Sequence, residues 1–167
     1  SIVGANGGIV VVSADDPSMH SSQNEQDSRV YGKFALIPTF EPSNQQECYD
    51  MVQYAFDYSE KFRAPVLMRM TTRLAHSRSG VVCKEPKPQN EISVPENLRQ
   101  FVLLPAISKR NYKTLLGKQE EFIQHGENDG WNVLTEGTDK KYGIIASGIA
   151  YNYLMENYPN RDIPYSV

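Results

Sequence analysis

Apolar residues in this chain gather in short runs and in one long periodic stretch, separated by polar segments. Ile9-Val10-Val11-Val12 is a continuous run dominated by β-branched side chains. It lacks the alternation of a half-wet strand. It therefore predicts a strand, Ile9–Ala14, dry on both faces inside a parallel sheet covered by helices. A second apolar segment, Tyr31–Phe40, holds Phe34, Leu36 and Ile37 and is expected to be buried, with Pro38 ending it. Glu41-Pro42-Ser43 then opens a helix, with Ser43 as N-cap and Gln46 completing a capping box. Cys48, Met51, Val52, Ala55, Phe56, Ser59 and Phe62 recur at helical spacing and form one inward face. Arg63-Ala64-Pro65 breaks the helix, and Val66–Thr71 reads as the next strand. Helix followed directly by apolar strand is a crossover unit, which joins parallel neighbours.

The second half is patterned differently. Gly80–Leu98 carries three prolines among mixed charges and reads as a linker. Phe101-Val102-Leu103-Leu104 is apolar enough to pack on the first part. Ser108–His125 predicts one helix, with Tyr112, Leu115, Leu116, Gln119, Phe122 and Ile123 on one face and Gly126 ending it. Its outer face, with Lys109, Arg110, Lys113 and Lys118, reads as solvated. After a polar bridge, Tyr142–Gly148 is expected as a strand and Ile149–Tyr158 as a helix, the way many α/β domains begin. Gly148 alone is weak evidence of phosphate binding. The expected fold is α/β, a mostly parallel sheet with flanking helices followed by the start of a second α/β domain. The expected division is 1–79 for the first domain, 80–141 for a linker containing one helix, and 142–167 for the opening of the second.

The formal charge of −3 and the absence of a basic stripe give no electrostatic support for nucleic-acid binding. No apolar stretch approaches the roughly 20 residues that span a bilayer. Cys48 and Cys83 are isolated, so neither a zinc site nor an iron–sulfur cluster is built from them alone. A reduced, cytoplasmic setting is expected. The strands are too few for a complete parallel sheet, so the chain is expected to be an internal piece of a longer protein.

The chemistry concentrates behind the two strands. From Asp15 to Arg29 the one large apolar side chain is Met19; around it stand Asp15, Asp16, His20, Ser21, Ser22, Gln23, Asn24, Asp27 and Arg29. Ligands of open α/β sheets bind outside the carboxyl ends of the strands. A second polar loop, Thr71–Arg78, is expected at the end of the next strand. Parallel strands would bring its Arg73 and His76 to the same mouth as His20 and Arg29, a set suited to an anion. Arg69, inside an apolar run, needs a carboxylate such as Asp15 or Asp16, or else reaches water at the strand end.

Ala14–Arg29, ADDPSMHSSQNEQDSR, closely resembles the motif after a central strand in the indolepyruvate ferredoxin oxidoreductase alpha subunit. The resemblance continues through Glu41-Pro42-Ser43, Pro65–Ser77 and Tyr142–Tyr153, and so covers nearly the whole chain. It implies the pyrimidine-type domain, in part, of a thiamine-diphosphate-dependent 2-oxoacid:ferredoxin oxidoreductase. It further implies oxidative decarboxylation of arylpyruvates with CoA as acyl acceptor and ferredoxin as electron acceptor. Mg²⁺, 4Fe–4S clusters and a second (beta) subunit are implied for the full enzyme, with the ligands of these groups outside this segment. Pyruvate or another 2-oxoacid is the alternative substrate. A structural or interaction module with no catalytic residue of its own is the second alternative. Within the segment His20 is the expected proton-transfer residue, because histidine suits proton transfer near neutral pH. Ser21, Ser22, Gln23, Asn24, Arg29 and Arg73 are the expected substrate-binding residues, with Arg29 also able to pair locally with Asp27. No residue is assigned to the cofactor or to a metal. Asn128-Asp129-Gly130 departs from the thiamine-enzyme Gly-Asp-Gly motif at its first position and reads as a turn. The segment alone is expected to be inactive and to bind thiamine diphosphate weakly at most.

Overall fold

The β-branched run after Gly8 does form the first strand, β1 (Val10–Asp15), in a computed structural model that describes residues 2–167. With β2 (Thr39–Phe40) and β3 (Val66–Thr71) it makes a three-stranded parallel sheet in the order β1-β3-β2. The register runs from Val10 opposite Val66 to Asp15 opposite Thr71, so β1 and β3 end together. The central strand is the dry one: Val66, Leu67, Met68 and Arg69 are all buried. β1 is an edge strand, and its Val11 and Val12 are 48% and 52% exposed. The expectation of two dry faces fails for β1 because only β3 flanks it among the described residues.

The helix α2 (Gln45–Phe62) carries the chain from β2 back to β3. Its cap sits one residue later than expected. Asn44, in extended backbone, accepts the Glu47 N–H at 2.9 Å, and the Glu47 carboxylate returns to the Ser43 N–H at 2.7 Å. A carboxylate at position 47 outcompetes the amide of Gln46, since it is charge-assisted and sits at the positive end of the helix dipole. Met51, Ala55, Tyr58, Ser59 and Phe62 are buried against Phe40, Ala64, Val66 and Met68. Val52 and Phe56, expected to face inward, are exposed, because the buried stripe is narrower and Tyr58 fills its centre. Ser59 is fully buried and ties three segments together. Its hydroxyl donates to the Ala64 carbonyl at 2.6 Å and accepts the Ile9 N–H at 2.9 Å.

Two expectations change between the strands. Tyr31–Phe40 is not one buried segment: it divides into α1 (Arg29–Ala35), a turn at Leu36 and β2. Phe34 is 88% exposed on α1. The buried contact is instead Gly32, where a Cβ would stand 1.9 Å from the Thr39 hydroxyl oxygen. The stretch after β3, expected as a loop, opens with a short helix, α3 (Thr72–His76), held by buried Leu74.

The expected single helix of Ser108–His125 is two, α4 (Pro105–Gly117) and α5 (Gln119–Asn128). The break follows Gly117, and Lys118 turns back to donate to the Phe62 carbonyl at the end of α2 at 2.6 Å. Gly126 lies inside α5, which ends before the turn at Gly130, φ +83°. α5 packs Phe122 and His125 on Tyr58 and Phe62. A lysine ammonium only donates, so the 2.9 Å contact from Lys61 makes His125 Nε2 the acceptor. Nδ1–H then faces the Tyr54 oxygen at 3.2 Å, and the Tyr54 hydroxyl donates to Asp129 at 3.3 Å. Burial, with Asp129 beside it, pushes the Tyr54 phenol well above its ordinary range.

The proline-rich stretch 80–98 runs along α2 in the same direction. Val82 N–H reaches Gln46 at 2.8 Å, Lys84 N–H reaches Tyr49 at 2.9 Å, and Lys87 pairs with Asp57. Beyond α5, β4 (Asp139–Gly143) and β5 (Tyr165–Ser166) form a separate parallel pair, with α6 (Ile149–Asn157) between them. β4 begins and ends earlier than expected, and Ile145 is left fully exposed. Among the described residues no helix is long and apolar enough to cross a membrane.

Replacing Ser59 with Ala is expected to destabilise the protein by roughly 1–3 kcal/mol, because it strands the buried Ala64 carbonyl and removes the partner of the part-buried Ile9 N–H. Urea unfolding checks this; a loss near zero would remove Ser59 from the joint between α2, β1 and β3.

Candidate functional site

Asp16, the first residue after β1, folds the polar loop behind it. Its carboxylate accepts the Ser21 N–H at 2.6 Å, the Ser22 N–H at 2.8 Å and the His20 N–H at 3.2 Å. The Thr72 hydroxyl donates to it at 2.8 Å, joining the loop to the start of α3. The Ser21 N–H, then the Thr72 hydroxyl and Ser22, outweigh burial and hold the Asp16 carboxyl well below the usual carboxylate range. Ser18 and Met19 take left-handed backbone, φ +68° and +51°, to complete the turn. Gln26 closes the loop by accepting the Asp16 N–H at 2.8 Å, and Glu25 accepts the Ser18 N–H at 2.7 Å.

Asp15 faces the interior. It accepts the Ser28 N–H at 2.8 Å and hydroxyl at 3.0 Å, and it is paired with Arg69. Arg69 is 4% exposed and also pairs with Glu41. The anomaly in β3 is thus a buried guanidinium between two carboxylates, with Asp15 as its expected partner. Burial pushes the Asp15 carboxyl up, but the Ser28 N–H and the Arg69 guanidinium more than reverse this and leave it lowered.

Glu41 carries the network onward to α6. It accepts the Ser147 hydroxyl at 2.8 Å, and Gly148 lies against it at φ +53°. A Cβ on Gly148 would stand 2.7 Å from Glu41 Cγ, so both the backbone conformation and the approach require glycine. Asn152 adds a hydrogen bond to the Ser43 carbonyl at 2.7 Å. α6 is thereby laid beside the carboxyl ends of β1 and β3.

A cleft of about 320 Å³ opens there. Its lining comes from three elements: Pro17, Ser18 and His20 of the loop, Thr71, Thr72 and Arg73 at the end of β3 and the start of α3, and Ile149 and Tyr153 of α6. The Arg73 guanidinium lies 5.5 Å from the centre of the Tyr153 ring. The Thr71 hydroxyl is buried with no hydrogen-bond partner among the described residues. No Asp or Glu lines the cleft, so its charge is set by Arg73.

The residues singled out in the sequence divide into three groups. His20 and Arg73 meet at the cleft. Ser21 and Ser22 are committed through their backbone to Asp16. Gln23 and Asn24 are exposed and do not line the cleft. Arg29 is held by Asp27 through two bonds of 2.7 Å, the local pairing, and His76 is exposed at the end of α3, away from the lining. Ile149 and Tyr153 escaped sequence reasoning, because α6 was read as part of a different domain; the Ser-Gly turn before it was the one available signal. Among the described residues no three His, Cys, Asp or Glu side chains come together as a metal site. Cys48 is half-buried beside Met70, and burial pushes its thiol up; Cys83 is exposed on the stretch beside α2. Asp129 caps the turn at Gly130 and accepts the Trp131 N–H at 3.0 Å, as the turn reading expected.

Comparison with known proteins is decisive at the level of sequence. The chain is 46% identical over 162 residues to the indolepyruvate oxidoreductase subunit IorA of Pyrococcus abyssi, covering 93% of this chain and 25% of that protein. It is 46% identical over 164 residues to the IorA subunit of Archaeoglobus fulgidus, covering 96% of this chain and 26% of that one. The likeness to IorA subunits runs through nearly the whole of this chain. The Methanothermobacter marburgensis IorA is 42% identical over 155 residues, covering 92% of this chain and 25% of its own length. The chain spans about a quarter of the length of these curated relatives. No family model and no solved structure matches it.

Arg69→Met is expected to destabilise the protein by about 3–5 kcal/mol, because it leaves the buried Asp15 and the partly buried Glu41 carboxylates without their cation. Arg29→Ala, in an exposed pair, is expected to cost no more than about 1 kcal/mol. Equal losses in urea unfolding would contradict this ordering. The loop is also expected to keep its order down to acid pH. The Arg29 guanidinium lowers the Asp27 carboxyl to about 2, and Asp15 and Asp16 are lowered too. A carboxyl that is a stronger acid when folded stabilises above its unfolded pKa of about 3.9, and that contribution is lost as pH falls through the folded value. Hydrogen-exchange protection of the Ser21, Ser22 and Ser28 amides should hold from pH 7 to 5 and decline below pH 4. Loss of protection between pH 7 and 6 would contradict this assignment.

Proposed function

We propose that this chain is the part of an IorA-type oxidoreductase that walls the binding cleft for a 2-oxoacid, with indolepyruvate or another arylpyruvate as substrate. The observation that carries this reading is that His20 and Arg73 line one cleft at the carboxyl ends of two parallel strands, with no acidic side chain in its lining. Arg73 has no carboxylate partner among the described residues, so a substrate carboxylate meets an uncommitted fork of donors. His20 lines the same cleft, as proton donor or acceptor. Ser21 and Ser22 shape the loop through Asp16, and Gln23, Asn24 and Arg29 serve its outer surface rather than the cleft.

The full enzyme in this reading oxidatively decarboxylates the 2-oxoacid. CO₂ leaves, CoA receives the acyl group, and two electrons pass to ferredoxin. Thiamine diphosphate supplies the carbanion stabilisation when bound, with Mg²⁺ and 4Fe–4S clusters as the other groups. Among the described residues no three His, Cys, Asp or Glu side chains come together as a metal site, and Cys48 and Cys83 are single thiols in different settings, so no step is assigned here to a metal ion or cluster. In this reading the ligands of those groups are supplied by other parts of the enzyme. A cytoplasmic location accompanies the reading.

A second role is favoured by one observation. Val11 and Val12 on β1 and Val30, Tyr31 and Phe34 on α1 are exposed apolar side chains, which suits an interaction module. Kinetics of the full-length enzyme separate the two. His20→Ala is expected to lower kcat by about a hundredfold or more, the usual contribution of a general acid–base group. Arg73→Gln is expected to raise KM roughly tenfold or more, since a charge-assisted hydrogen bond is worth about 1.5–3 kcal/mol. Unchanged kcat and KM for both variants would remove the cleft role and leave only the interaction role.

A further inference from the structure

We infer that Tyr153, backed by Ile149, forms the surface against which the ring of an aromatic 2-oxoacid lies, and so sets the preference for aromatic over short 2-oxoacids; this rests on the keto-acid reading above. The lining of the cleft is chemically mixed. The loop and α3 contribute His20 and Arg73, and α6 contributes Ile149 and the Tyr153 ring. An arylpyruvate has the same mixture, a carboxylate and keto oxygen one methylene away from a flat apolar ring. Arg73 and His20 meet its polar end, and the α6 residues meet its ring.

Three features make Tyr153 more than a surface tyrosine. Its ring lies 5.5 Å from the Arg73 guanidinium, within the range of a cation–π contact. That contact positions Arg73 while leaving it without a carboxylate among the described residues. Tyr153 is one turn from Ile149 on α6, so both present the same helix face to the cleft. α6 is held in that position at its start, by Gly148 against Glu41 and by Ser147 and Asn152. The volume, about 320 Å³, falls at the small end of the roughly 300–1,000 Å³ of small-molecule sites. It suits one ring and its keto-acid tail rather than a large cofactor.

The test uses the full-length enzyme with its partner subunit, and indolepyruvate and pyruvate as probes, pyruvate being measured as substrate or as competitive inhibitor. Tyr153→Ala is expected to lower kcat/KM for indolepyruvate about tenfold or more while changing the pyruvate constant less than about threefold, since a lost apolar contact shifts discrimination by roughly 10–200-fold. Tyr153→Phe is expected to retain the preference, because the ring remains. If Tyr153→Ala does not assemble, Tyr153→Leu replaces it with the same expectation. An unchanged ratio, whether both constants fall together or neither moves, overturns the role of Tyr153. Arg73→Gln distinguishes the two levels. If it lowers kcat/KM for both probes while the Tyr153 variants leave the ratio alone, the inference about Tyr153 fails and the keto-acid reading stands. If Arg73→Gln affects neither probe, the keto-acid reading fails and takes the inference with it.

Discussion

A guanidinium buried in the middle of an apolar strand constrains this fold more than any other group. Arg69 occupies the central strand, where its neighbours Val66, Leu67 and Met68 exclude water. Its charge is permanent, so the chain must bring carboxylates to it. Asp15 comes from the end of β1 and Glu41 from the residue after β2. The ends of all three strands are thereby gathered at one point. Ser28 and Ser147 donate to the remaining carboxylate lone pairs, which ties in the end of the loop after β1 and the lead-in to α6. Such a buried cluster adds little net stability, because desolvation offsets much of the attraction. Its contribution here is positional: the elements that bound the cleft are each held to one of its members.

A second carboxylate works one residue further along. Asp16 spends its oxygens on backbone N–H groups of the loop and on Thr72. The adjacent pair Asp15-Asp16 therefore divides two tasks, one inward to the strands and one outward to the loop. This leaves His20 exposed at the tip while its own N–H is fixed. The cleft thus combines a rigid base with side chains that remain free to meet a ligand.

The backbone plan was legible where periodicity and composition agreed. The run at Ile9–Val12, the long amphipathic helix and the strand from Val66 to Thr71 all appear where the pattern put them. So does the partnership of Arg69 with Asp15, because a charge in a dry strand has few solutions. The departures have physical causes. Phe34 reads as core by residue type, yet α1 turns it outward, and no local pattern distinguishes a seven-residue helix from a short strand. The division of α4 from α5 depends on Lys118 reaching the end of α2, a contact separated by 56 residues in sequence. For the cleft, His20 and Arg73 were visible as polar residues behind strands. Tyr153 and Ile149 were not, because what places them is the tertiary contact between Gly148 and Glu41.

The open side of β1 has a practical meaning. Along that side the backbone amides and carbonyls have no partner strand among the described residues, and the side chains beside them include half-exposed valines. Such an open edge is a template on which another strand can add, the usual origin of sheet-driven aggregation.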